Sequence, residues 1–246
     1  MGNKSAITSF QSLRQRLVAR IGDESVLSAK LQTYRTPLFD RLMVLIGAVF
    51  THSTYLILAP AFFWFPSGIN YFGPESEVYV DVAHVFARAL IWALCGGVVL
   101  TGLVKVDSSH LEIMSLTGKD TFKLPRPYSP PVTKLQEHKN TLLEFGLPST
   151  HTVHAVACSL FTALFYLRFF SDGVEGYSEG IVFGVCAVFS GLVGFSRIYT
   201  GMHSFVDVIG GALLAVAMVF SYWTILPEIE RALGSNSLSK FSNWSN

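Results

Sequence analysis

Five long apolar runs dominate the chain, and polar segments rich in Pro, Gly, Ser and Asp separate them. The runs cover residues 42–65, 80–104, 152–170, 180–195 and 205–226. Each approaches the roughly 20 residues that a helix needs to cross a bilayer, and a helix satisfies its own backbone in lipid. We expect the last run to end at Pro227, since proline breaks a helix interior. The pattern predicts an all-α, multi-pass membrane helical bundle with about five transmembrane helices.

The N-terminal 40 residues differ from the rest of the chain. They contain no apolar core of a signal peptide, and their apolar residues fall at helical spacing, at Phe10, Leu13, Leu17 and Ile21. Arginines lie between them, so the segment is either an interfacial helix or a solvated helix that leads into the membrane. We therefore expect a basic amphipathic or interfacial segment over 1–40, a transmembrane domain over 41–227 and a polar C-terminal tail over 228–246.

Composition excludes several classes of protein. Half of the 246 residues are apolar, 14% are charged, and the mean hydropathy is +0.44. Soluble domains carry about 25% charged residues, so a disordered chain or a disulfide scaffold is excluded. A net charge of +1 indicates no nucleic-acid partner. The three cysteines lie in apolar runs without metal-ligand spacing, which is typical of small buried hydrophobic residues.

Two polar connections share one membrane face if all five runs cross the bilayer. They are the long connection 105–151 and the short link 196–204. Together they bring three fixed cations, two histidines and a carboxylate inside an apolar run, namely Lys119, Arg126, Arg197, His151, His203 and Asp207. Ionisable groups in membrane segments are costly and usually functional, so we expect a catalytic or binding site on this face.

The chemistry of these side chains suits an oxyanion. Arginine presents a planar fork that matches phosphate. Ser149 stands where a helix N-cap belongs, so its hydroxyl and the following amides can face an anion. His203 and Asp207 are four residues apart and share a helical face, so Asp207 can hold one ring nitrogen while the other attacks. His151 would then protonate the leaving oxygen.

In their order along the chain, these residues resemble the three signature motifs of the type 2 phosphatidic acid phosphatase superfamily. The motifs are KxxxxxxRP at 119–127, PSTH at 148–151 and SRxxxxxHxxxD at 196–207. The strings YRTP at 34–37, LPRPYSPP at 124–131 and EFGLPSTH at 144–151 are most similar to its sphingosine-1-phosphate, or long-chain base phosphate, phosphatases. One departure is Thr150, where glycine is usual, but threonine still offers its amide.

The resemblance implies a fold, a reaction and a role for each residue. The fold would be the superfamily's haloperoxidase-like helical core, and no metal or other cofactor would be needed. His203 would form a phosphohistidine, oriented by Asp207, and His151 would act as acid and then activate water. The phosphate would be bound by Lys119, Arg126, Ser149, Thr150 and Arg197. The expected partners are a sphingoid base 1-phosphate substrate and membrane lipids, and no oligomeric state is predicted.

Several alternatives remain open. The same chemistry could act on phosphatidate, lysophosphatidate or an isoprenyl diphosphate, or the chain could be a non-catalytic scaffold or transporter. Vanadate-dependent halide oxidation occurs in related proteins that are mostly soluble, so five spans argue against it. His154 lies one turn after His151 and could suggest zinc, but no third ligand has suitable spacing.

The resemblance also implies a multi-pass protein of the endoplasmic reticulum membrane. Basic residues are concentrated on the face that carries the motifs, and the positive-inside rule would place that face in the cytosol. A lumenal site is commonly inferred for this branch of the superfamily. The sequence therefore leaves the sidedness of the site open.

Overall fold

A computed structural model of the chain describes residues 2–49, 57, 60–61, 76–101, 124–135, 145–170 and 177–232. These residues form α-helices and irregular segments, with a 3-10 turn at Gln32–Tyr34 and no strand among them. The helices are α1 (Gly2–Leu31), α2 (Pro37–Val49), α3 (Ser76–Thr101), α4 (Thr150–Phe170), α5 (Tyr177–Tyr199) and α6 (Phe205–Ala232). The prediction of an all-α chain is confirmed.

Three of these helices are long and apolar enough to cross a membrane. Their apolar stretches are Thr150–Leu167, Glu179–Tyr199 and Phe205–Ile229, and α3 carries a shorter one at Ala83–Gly97. They overlap four of the five predicted runs. Most of the first run, 42–65, lies outside the described residues, apart from the end of α2 and positions 57, 60 and 61.

The end of α6 differs from the prediction. The expected stop at Pro227 is wrong, because α6 continues through this residue to Ala232. An interior proline removes one backbone hydrogen bond, but helices of membrane proteins tolerate this loss where neighbouring groups satisfy the freed carbonyl. The predicted polar tail over 228–246 therefore begins as helix.

The chain divides into two compact units. The first contains Met1–Val49, Val98–Val153 and Gly191–Leu214, and the second contains Phe50–Gly97, His154–Ser190 and Ala215–Asn246. All the predicted site residues that the structure describes belong to the first unit. The N-terminal segment, the start of α4 and the link between α5 and α6 therefore belong to the same unit as these residues.

Aromatic side chains hold the second unit together. The rings of Phe161 and Tyr222 meet edge to face with centroids 5.2 Å apart, and those of Phe165 and Trp223 are 5.4 Å apart. The Tyr222 hydroxyl also donates to the Val85 carbonyl at 3.2 Å. Aromatic pairs of this kind add about 1 kcal/mol each beyond the area that they bury. These contacts join α3, α4 and α6.

Candidate active site

The link between α5 and α6 places His203 beside the backbone of Arg197. Gly201 has a φ of 71°, in the left-handed region that favours glycine. The reversal at this glycine lets the Arg197 carbonyl accept the N–H groups of Met202 and His203, each at 3.1 Å. The arginine and histidine of the third motif are therefore held at one turn of the backbone.

His203 and Asp207 form a buried pair at the start of α6. Nδ1 of His203 lies 3.5 Å from Oδ2 of Asp207, with side-chain exposures of 5% and 0%. The same oxygen accepts the Ser204 N–H at 2.8 Å, and the Asp207 N–H donates to Ser204 Oγ at 3.2 Å. This reciprocal arrangement is of the capping-box type. It fixes the carboxylate on the Nδ1 side of the ring, which leaves Nε2 as the other ring nitrogen.

The second motif packs directly on this pair. Ser149 donates its N–H to the Asp207 carbonyl at 3.0 Å, and a β-carbon built at Gly146 would lie 2.8 Å from Asp207 Cγ. The Ser149 carbonyl accepts the Val153 N–H at 3.0 Å, which confirms the predicted N-cap position. The buried Ser149 hydroxyl also accepts a hydrogen bond from Thr152 Oγ1 at 3.0 Å.

The loop of the first motif joins the same cluster. Arg126 Nη1 donates to the carbonyl of Met202, which directly precedes His203, at 2.7 Å. The Leu124 carbonyl accepts the Gly146 N–H at 2.9 Å. One bond therefore ties the loop to the third motif and another ties it to the segment of the second. Described parts of all three predicted motifs meet in one place.

Arg197 lies in the interior of the first unit. It is 2% exposed and is among the largest fully buried side chains of the described residues. Gly47 of α2 faces its guanidinium, since a β-carbon there would lie 2.9 Å from Nη1. The charge of Arg126 is close enough to repel that of Arg197. Two guanidinium groups close together favour an anion beside them, because like charges repel at short distance.

The other residues that the sequence singled out lie in α4 or outside the described residues. Thr150 and His151 are partly buried in the first turn of α4, where backbone N–H groups point out of the helix end and attract anions. Lys119 lies outside the described residues. His154 is fully buried in the second unit. Within the described ranges, no group of three His, Cys, Asp or Glu side chains could hold a metal ion.

Two residues that shape the site were not identified from the sequence. Ser204 has a recognisable signal, because a serine three residues before an acidic residue at the start of an apolar run is typical of a helix start. Gly146 has no such signal in the sequence, since it matters only because the Asp207 carboxylate lies against its α-carbon. A single sequence holds no information on such an approach.

Comparison with known proteins identifies the family. A sequence model of the PAP2 superfamily matches residues 86–231, which is more than half of the chain. The chain belongs to the PAP2 superfamily. The PAP2 match includes all the predicted site residues, and the resemblance inferred from the three motifs is confirmed. The N-terminal segment lies outside this match.

Curated relatives in the PAP2 superfamily carry the names of sphingoid phosphate phosphatases. A dihydrosphingosine 1-phosphate phosphatase of Schizosaccharomyces pombe is 29% identical over 228 residues, covering 92% of this chain and 48% of that protein. Human sphingosine-1-phosphate phosphatase 2 is 42% identical over 120 residues, covering 47% of this chain and 28% of that protein. The chain thus spans about half the length of its relatives or less.

A solved structure shares the PAP2 fold. The crystal structure of a transmembrane PAP2 type phosphatidylglycerolphosphate phosphatase from Bacillus subtilis matches with a TM-score of 0.57 and 19% identity. The match covers 91% of this chain and 97% of that one. The predicted membrane helical fold of this superfamily is confirmed.

Proposed function

We propose that this chain hydrolyses the phosphomonoester of sphingoid long-chain base 1-phosphates in a membrane, through a phosphohistidine at His203. The observation that carries the proposal is the buried pair of His203 and Asp207 next to Arg126 and Arg197. The relatives named as sphingosine-1-phosphate and dihydrosphingosine 1-phosphate phosphatases support the choice of substrate.

The first step is capture of the phosphate. Arg126 and Arg197, together with Lys119, bind its oxygens, since charge-assisted bonds from arginine are short and directional. Ser149 and the Thr150 amide contribute donors at the start of α4, where the helix dipole favours a negative charge. The substrate enters as an anion beside Arg126, whose charge acts on that of the buried Arg197.

The second step is transfer of the phosphoryl group to His203. Nε2 attacks phosphorus, the bond from phosphorus to the lipid oxygen breaks, and His151 gives its proton to the departing alkoxide. Asp207 stabilises the positive ring through Nδ1, at a starting distance of 3.5 Å. The lipid leaves as the free alcohol, and the phosphoryl group stays on nitrogen.

The third step returns the enzyme to its starting form. His151, now neutral, removes a proton from water, and the resulting hydroxide attacks phosphorus as the bond to Nε2 breaks. Inorganic phosphate is released and His151 regains its proton. The positive charges come from Lys119, Arg126 and Arg197, so the reaction is proposed to need no metal ion. We further propose that the chain resides in the endoplasmic reticulum membrane.

Phosphate release from purified full chain in detergent tests the proposal. Sphingosine 1-phosphate is compared with phosphatidate and an isoprenyl diphosphate, each in excess EDTA. His203→Ala should lower kcat by at least about 1,000-fold, whereas the control His84→Ala, in α3 of the second unit, should keep it. With a radioactive phosphate group on the substrate, a phosphohistidine appears as protein-bound label that survives alkali and is lost in acid. This label should appear on wild type and be absent from His203→Ala.

Each outcome bears on one part of the proposal. Folded His203→Ala with wild-type turnover would overturn the mechanism. Hydrolysis of phosphatidate or the diphosphate in place of sphingosine 1-phosphate would change the substrate class, and loss of activity in EDTA would overturn metal independence. A tagged chain that does not co-localise with a marker of the endoplasmic reticulum would overturn the proposed location.

A further inference from the structure

One face of the second half of α1 is buried and polar, which an interfacial helix does not require. Three of its buried polar residues recur every four positions and a fourth is adjacent to the first, so all share one side of the helix and the turn that follows it. They are Glu24, Ser25, Ser28 and Gln32, with exposures of 7%, 1%, 0% and 7%. Burying polar groups costs free energy unless they are hydrogen-bonded, so this face is expected to have specific partners.

Gln32, in the 3-10 turn after α1, uses both ends of its amide. Nε2 donates to the carbonyls of Thr133 at 2.8 Å and Tyr199 at 2.7 Å, and Oε1 accepts the Thr133 N–H at 2.8 Å. Thr133 lies in the same loop as Arg126, and Tyr199 follows Arg197 at the end of α5. One buried side chain therefore links the segments that carry the two arginines of the site.

Two more side chains of α1 hold the same region. Ser25 Oγ accepts the Tyr128 N–H at 3.0 Å, two residues after Arg126. Glu24 Oε2 accepts the Val206 N–H at 3.3 Å, one residue before Asp207. A carboxylate at the start of α6 is also favoured by the helix dipole. In each of these hydrogen bonds, the partner of the Glu24, Ser25 or Gln32 side chain is a backbone group of the Arg126 loop, α5 or α6.

From these contacts we propose that Gln32 is a positioning residue of the phosphate site, which sets the separation between the Arg126 loop and the Arg197–His203 link. The inference rests on the proposed function and extends it to a residue outside the 86–231 match with the PAP2 superfamily. Arginine meets phosphate oxygens at about 2.8 Å. A misplacement of about 1 Å in such a site can cost about 100-fold in rate.

Binding of orthovanadate to the full chain in detergent micelles tests this role. Orthovanadate has the shape and charge of phosphate, so its binding needs no lipid substrate. Gln32→Leu keeps the approximate size of the side chain and removes its three hydrogen bonds. Gln15→Leu makes the same change on the exposed part of α1. We expect Gln32→Leu to raise the dissociation constant about 10-fold or more and Gln15→Leu to leave it unchanged.

A double-mutant cycle separates positioning from a general loss of stability. If Gln32 acts by placing Arg126, then Gln32→Leu adds less than about 2-fold to the weaker binding of Arg126→Ala. If the fold-increases in the dissociation constant of the two single variants multiply in the double variant, then Gln32 acts independently of Arg126. That result would overturn the proposal. Melting temperatures measured on the same samples identify any variant that fails to fold.

A second variant covers the case in which Gln32→Leu does not fold. Gln32→Glu keeps the shape and the acceptor for the Thr133 N–H but replaces both donors by an oxygen, so it should bind orthovanadate as weakly as Gln32→Leu. Wild-type affinity in either folded variant overturns the positioning role and leaves the proposed function intact. A wild-type chain that binds no oxyanion overturns both.

Discussion

Gly146 packs against the carboxylate of Asp207 so closely that a β-carbon at this position would lie 2.8 Å from both Cγ and Oδ1. The Asp207 carboxylate is itself held by the Ser204 N–H and lies beside Nδ1 of His203. Any side chain at 146 must therefore push the carboxylate away from the ring or move the segment that precedes Ser149. Alanine at position 146, which adds a single β-carbon, is enough to test this contact with Asp207.

We expect Gly146→Ala to lower kcat for phosphate release about 10- to 100-fold, because the carboxylate no longer orients His203. Gly184→Ala in α5 is the matched control, since a β-carbon there meets nothing within 4 Å. It should keep full activity and gain up to about 1 kcal/mol in helix stability. Gly146→Ala with unchanged kcat would contradict the role given to this contact.

Asp207 serves both the histidine ring and the start of α6, and two variants separate these roles. Asp207→Asn keeps an oxygen for the Ser204 N–H but loses the charge that stabilises the His203 ring, so kcat should fall by at least about 100-fold. Ser204→Ala removes the hydroxyl that accepts the Asp207 N–H and should cost about 1 kcal/mol of stability.

Steady-state kinetics and thermal melting distinguish the two effects of these substitutions. Ser204→Ala should retain most of its kcat with a lower melting temperature, and Asp207→Asn should show the opposite pattern. If both variants lose activity in proportion to their loss of stability, the carboxylate acts as a cap alone.

The buried guanidinium of Arg197 should not be replaceable by an ammonium. Arg197→Lys keeps the charge but loses the planar fork, so kcat/KM should fall about 10- to 100-fold. The exposed Arg20, whose side chain is 69% accessible, provides the control substitution Arg20→Lys. Kinetics on both variants check this prediction, and equal kcat/KM values for the two would mean that Arg197 contributes charge only.

Asp40 should make part of the stability depend on acid pH. Hydrogen bonds from Arg35, the nearest at 2.8 Å, hold the pKa of Asp40 below its usual 3.8, and the Tyr199 hydroxyl at 2.7 Å also favours the charged form. A lowered pKa stabilises the folded state above about pH 4, and this contribution is lost as the pH falls through the folded-state value.

Thermal melts between about pH 6 and pH 3 test this contribution. Asp40→Asn should have a lower melting temperature than wild type at the upper end of this range, and the two melting temperatures should converge as the pH falls. Asp23→Asn, on the exposed side of α1, should run parallel to wild type throughout. A constant gap between wild type and Asp40→Asn would contradict the role of the carboxylate.

The sequence predicted those features that follow from local periodicity. Apolar runs of membrane length predicted α4, α5 and α6, because lipid requires a continuous apolar surface. The four-residue spacing predicted that His203 and Asp207 share a helical face. They lie 3.5 Å apart, but His203 precedes α6, which begins at Phe205, so the turn before the helix brings them together. Ser149 occupies its predicted N-cap position, directly before α4. Pro227 is the exception, since the local preference of proline was overruled within a longer helix.

Only the tertiary structure decided what surrounds these residues. The hydrogen bonds of Gln32 reach across 101 and 167 positions, and Gly146 matters only because Asp207 comes to rest beside it. Most contacts of this kind end on backbone groups, which every residue type except proline offers alike. The identity of the partner residue therefore leaves no trace in the sequence, and the bonds from Gln32 to Thr133 and Tyr199 become visible only when the chain is folded.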